Sequence, residues 1–195
     1  MKRLFSGLRK KAAKTGGDDE RFGTGLWRHN RDRFLRAVDR YYATAVALHE
    51  ARPSGAASAG DDANGSADEV GTTTSATDET GTAGKDPVDV IVDGTHRLNA
   101  LVEVVDAITA DLHSRYPVSG QIVPGSVRSA VGDVPELLTK ASSKVGEAVL
   151  AASMARSEAA GRPIDSSAQA SARFIGDAEE LLGRARENLA RLGSS

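Results

Sequence analysis

The 195-residue sequence predicts an all-α protein, an antiparallel helical bundle of about four long helices. Three observations predict it. Apolar residues recur at three- and four-residue spacing in four separate stretches. Aromatics make up only 4% of the chain, so the core must be built from Ala, Val, Leu and Ile, which suit close-packed helices better than a β-sandwich. Gly and Pro cluster between the stretches, at Gly16 and Gly17, through residues 117–133, and at Gly161 and Pro163.

The first fourteen residues, MKRLFSGLRKKAAK, set Leu4, Phe5, Leu8 and Ala12 on one side of a helix, and their only charges are Lys and Arg. This predicts a short basic amphipathic helix that Gly16 and Gly17 end, within an N-terminal segment of residues 1–22. A helix this short needs a surface on its apolar side to persist in water, because nucleation costs more than so few hydrogen bonds return.

Residues 23–52 hold the first bundle helix, expected from Thr24 to His49, with Trp27, Phe34, Val38, Tyr41, Ala45 and Leu48 as its apolar stripe. His29, Arg33, Arg36 and Arg40 repeat at the same spacing on another side and form a basic ridge. Residues 53–86 contain Val70 as their one large aliphatic and are otherwise almost entirely Gly, Ala, Ser, Thr, Asp and Glu. Such a composition predicts a disordered acidic linker, spanning on the order of 30 Å as a flexible coil.

Residues 87–195 carry the remaining three bundle helices. Asp86 followed by Pro87 marks a helix start, and Tyr116 before Pro117 marks its end. Its stripe is Ile91, Thr95, Leu98, Val102, Val105, Ile108 and Leu112. A loop rich in Pro and Gly follows, with one short helical turn expected around Val127 to Val131. Asp133 and Pro135 start the next helix, with Val134, Leu138, Ala141, Val145, Ala148, Ala152 and Ala155 inward. The last begins near Ser166, where Ser166 and Gln169 fit a capping box, and runs through Ile164, Ala168, Ser171, Ile175, Ala178, Leu182, Ala185, Leu189 and Leu192. The short connection from Ala160 to Asp165 makes these two antiparallel. Alanine-rich seams also suit a homo-oligomeric coiled coil.

Charge is unevenly distributed. Residues 1–52 carry 13 basic and 6 acidic side chains, net +7, and residues 53–86 carry 1 basic and 7 acidic, net −6. The absence of cysteine removes disulfides, thiol nucleophiles and zinc–thiolate sites, and fits a reducing cytoplasm. No run of about 18 apolar residues is present to span a membrane, and Lys2 and Arg3 precede no h-region of a signal peptide.

No catalytic or metal constellation emerges, and no cofactor is expected. His96 and His113 lie 17 residues apart on one helix, about 25 Å, too far for one ligand sphere. Asp93-x-x-His96 has no matching Glu-x-x-His on a second helix. Glu103/Asp106 and Glu179/Glu180 read as solvated carboxylates on charged helix faces. Gly23 and Gly25 follow no strand and precede no Lys-Ser or Lys-Thr, so they make no phosphate loop.

The expected function is that of a non-enzymatic helical scaffold or adaptor with a helical protein partner, cytoplasmic and peripheral at the inner face of the membrane. Lys2, Arg3, Leu4, Phe5, Leu8, Arg9, Lys10, Lys11 and Lys14 are the residues expected to meet an anionic membrane surface. The alternative partner is nucleic acid, held by the same basic segment with Arg28, Arg31, Arg33, Arg36 and Arg40. Against phosphate contact, Arg36 and Arg40 are expected to pair with Asp32 and Asp39 along their own helix.

Overall fold

The computed structural model describes residues 15–52, 85–158 and 165–192, and among them every regular element is helical. The elements are α1 (Thr15–Phe22), α2 (Leu26–Glu50), α3 (Pro87–Arg115), α4 (Gly125–Val131), α5 (Val134–Glu158) and α6 (Asp165–Leu192). The N-terminal residues 1–14 and the acidic stretch 53–84 lie outside the described residues.

Local chemistry sets the ends of α3. The Asp86 carboxylate accepts the Val88 amide at 2.8 Å and Pro87 opens the first turn, where a missing N–H costs nothing. Tyr116 leaves the helix ahead of Pro117, as a residue before proline must. The loop beyond is stitched to the start of α2. Gly120 O accepts the Leu26 amide at 2.9 Å and Tyr116 O accepts the Trp27 indole N–H at 2.8 Å. Gly25 permits this approach, since a Cβ there would stand 2.0 Å from Val118 O.

The four long helices pack in the ring α2, α3, α6, α5. Trp27 meets Tyr116 at one end, and Arg52 donates to Asp89 at 3.0 Å at the other, so α2 and α3 are antiparallel. Ser167 donates to Glu158 and Asn188 to Asp133, each at 2.7 Å, and these make α5 and α6 antiparallel. Tyr41, Ile91, Ala148 and Ser171 share one level of the bundle through hydrogen bonds. Ile91 and Ser171 both lie near the starts of their helices, so the packed neighbours α3 and α6 run parallel, and so do α2 and α5. Helices α3 and α5 therefore stand on opposite corners. The connection through α4 crosses the end of the bundle, which explains why it exceeds the usual length of a helix–helix turn.

The core stripes on α2 and α5 are those the spacing predicts, with Asn30 added on α2 and Leu137, Ser142 and Ala151 added on α5. On α6 the described members of the stripe are buried except Leu192, which is half-buried. The α3 seam is broader than expected, because two neighbours cover it. Val88, Val90, Gly94, Leu101, Asp106 and Thr109 are buried, and Thr95 and Val102 are only half-buried. Three boundary expectations are corrected. Gly16 and Gly17 lie inside α1 instead of ending a helix. The short turn near Val127 begins at Gly125. Ser166 falls within the first turn of α6, which starts at Asp165, and does not cap it.

Candidate functional site

The richest gathering of charge lies where α1, the first half of α2 and the end of α3 meet. Phe22, the last residue of α1, is wholly buried, with the Arg31 guanidinium 4.1 Å above its ring centre. This anchor explains why α1 is helical at all. Eight residues with two glycines have little intrinsic helicity, each Gly being about 1 kcal/mol worse than Ala, so packing decides the outcome. Gly23 then adopts φ +70, open to glycine at little cost, and lies against the His113 imidazole, whose Nδ1 is buried without a partner.

Helix α2 carries five arginines from Arg28 to Arg40, over about 18 Å at 1.5 Å per residue. Two are committed. Arg28 holds Asp19 at 2.9 Å and Asp32 at 3.0 Å, with Asp18 at 3.8 Å. Arg31 donates to both oxygens of Asp106, at 2.6 and 3.4 Å, and lies 3.6 Å from Asp18 and 3.5 Å from Asp32. The other three, Arg33, Arg36 and Arg40, are exposed and enter no ion pair among the described residues. Arg33 donates to the Ser143 hydroxyl at 3.3 Å. The expected pairing of Arg36 with Asp32 is replaced: Arg28 takes Asp32 from the turn before, and Arg31 adds to it.

Asp106 is not the solvated carboxylate its neighbours suggest. It is 7% exposed, and among the described residues its carboxylate is compensated by the Arg31 guanidinium from the facing helix. Glu179 is likewise engaged, accepting from Arg97 at 2.9 and 2.7 Å, and this bond is the main reason the Arg97 pKa rises. Glu180 pairs with Arg184 one turn on, while Glu103 stays exposed. Asn30, whose Nδ2 is buried without a partner, is a polar residue the apolar pattern does not reveal.

The histidines do not converge. His29, His49 and His96 are exposed, His113 is half-buried, and no group of three His, Asp or Glu residues suited to a metal ion exists among the described residues. An open groove of about 300 Å³ runs between Val131, Gly132, Asp133, Asn188, Arg191 and Leu192, where the polar side chains bond one another. Lys2, Arg3, Leu4, Phe5, Leu8, Arg9, Lys10, Lys11 and Lys14 lie outside the described residues.

Comparison with protein families, curated proteins and solved structures returns no match. The fold and the charges of this chain are what its function is argued from. No described helix is long and apolar enough to cross a membrane.

Proposed function

We propose that this chain is a non-enzymatic helical adaptor that engages an anionic membrane surface through residues 2–14 and acts through a helical protein partner. The observation that carries the reading is the exposure of Arg33, Arg36 and Arg40, with no ion pair among the described residues, on the helix that holds α1. Arg28 grips α1, and Arg36 stands two turns further along the same outer side of α2. The basic residues 2–14 directly precede α1 in the sequence. Each basic side chain near an anionic bilayer contributes about 1 kcal/mol.

The four long helices cover their seams with one another, and the exposed large apolar side chains among the described residues are Ile122, Leu150 and Met154. Leu150 and Met154, one turn apart on α5 and 66% and 57% exposed, support a protein contact. A nucleic-acid partner has weaker support than the sequence suggests, because Arg28 and Arg31 are occupied by carboxylates, which leaves three of the five arginines for phosphates.

Sedimentation with anionic liposomes tests the membrane reading. The full chain should pellet in a salt-sensitive manner, and the chain lacking residues 2–14 should remain in the supernatant. Equal pelleting of both refutes it. Salt-sensitive duplex binding that is lost on replacing Arg33, Arg36 and Arg40 with Ala would transfer the function to nucleic acid.

A further inference from the structure

Two of the five α2 arginines are covered by the carboxylates of α1. Asp18 and Asp19 lie against Arg28, and Asp18 also lies 3.6 Å from Arg31. Asp32 and Asp106 complete the partners of these two, whereas Arg33, Arg36 and Arg40 are exposed without an ion pair among the described residues. The cover is lightly held. It is eight residues long, and Phe22 is its one wholly buried large side chain. Its exit turn at Gly23 seals the unpartnered Nδ1 of His113, which undocking would return to water.

We propose that α1 is a displaceable acidic cover on Arg28 and Arg31 of α2 and that an anionic phospholipid bilayer displaces it. The inference rests on the reading of residues 2–14 as the bilayer-engaging segment, which is joined to α1 without a break. Lipid phosphates repeat the carboxylate contacts: an anion in place of Asp19 meets the same Arg28 guanidinium and adds no buried charge. As the segment enters the interface it draws α1 off these two arginines, and the bundle then meets the bilayer along α2 as well as through its N-terminus.

Hydrogen exchange of the full chain on vesicles tests this, with phosphatidylglycerol mixed into phosphatidylcholine and with phosphatidylcholine alone. On anionic vesicles the Phe22 and Gly23 amides should exchange faster while Leu98, Val145 and Ile175 keep their protection. The variant Asp18→Asn/Asp19→Asn, altered only at exposed or half-buried positions, should bind anionic vesicles about tenfold more tightly at low salt. It should also show faster α1 exchange without vesicles.

Protein that binds anionic vesicles with unchanged α1 protection, or an Asn variant no tighter than wild type, overturns the cover and leaves the membrane reading intact. No binding of the full chain to anionic vesicles overturns both. Release of α1 by duplex DNA but not by vesicles overturns the bilayer as the displacing partner.

Discussion

The Tyr41 hydroxyl on α2 lies 3.0 Å from the Ser171 hydroxyl on α6, across the diagonal of the bundle. Tyr41 also reaches Ile91 O of α3 at 3.1 Å, and Ser171 reaches Ala148 O of α5 at 3.4 Å, so one hydroxyl pair touches all four long helices. Gly94 makes the room, since a Cβ there would stand 2.4 Å from the Tyr41 oxygen. Three contacts share two hydroxyl protons, so two are hydrogen bonds at any instant. Tyr41→Phe should therefore cost only about 1 kcal/mol in urea unfolding, because Ser171 retains Ala148 O and the helical carbonyl of Ile91 retains its backbone donor. A loss above about 3 kcal/mol would mean that the hydroxyl pair holds the helix register rather than satisfying itself.

Burial pushes the Tyr41 hydroxyl up from 10.0 to about 12, against smaller opposing effects of Ser171 and Arg97. The unfolded chain loses this proton at the lower value and the folded chain at the higher. Below pH 10 the group is neutral in both states and its contribution is constant; between the two values only the unfolded state gains by ionising. Stability should fall across that window by about 1.4 kcal/mol per pH unit for this group. Parallel urea midpoints of wild type and Tyr41→Phe check it. The wild type should decline more steeply above about pH 10, and parallel lines would remove the burial effect.

The helical seams were legible because period alone fixes which residues of one helix turn inward. Trp27 through Leu48 follow it, as do Val134 through Ala155. The ring order was not legible, since four apolar stripes fit several neighbour arrangements, and only packing selects α3 beside α6. Asp106 and Asn30 were missed for a related reason. A polar residue beside an apolar stripe reads as the solvated edge, and nothing local reveals that Arg31 waits 75 positions away for Asp106. Helix α1 was hidden by Gly16 and Gly17, whose low propensity is overridden by the burial of Phe22.

Asp106 and Arg31 should behave as a unit. Their side chains are 10% and 11% exposed; removing Arg31 strands the Asp106 carboxylate, whereas removing Asp106 leaves Arg31 near Asp18 and Asp32. Arg31→Met should destabilise the bundle by about 3 kcal/mol, whereas Arg31→Met with Asp106→Leu should recover most of that loss. A double-mutant cycle in urea measures the coupling. Additive single losses would show that solvent already screens the pair.

Arg52 and Asp89 are bonded at 3.0 Å, and Arg52 also pairs with Asp86, so the two ends of the segment 53–84 meet at its base. Those 32 residues are not needed for span, because α2 and α3 are adjacent and antiparallel, and a turn of about four residues would join them. Going from about four residues to 32 is three doublings of loop length, each costing about 0.6 kcal/mol of closure entropy. Replacing 53–84 with a four-residue Gly-Ser turn should then stabilise the bundle by about 2 kcal/mol while leaving the helical circular dichroism per bundle residue unchanged. The same substitution removes six carboxylates and no basic residue. If stability instead falls, the acidic stretch is making contacts on the bundle worth more than its closure cost; salt dependence of the loss then separates charge pairing with the α2 arginines from apolar packing.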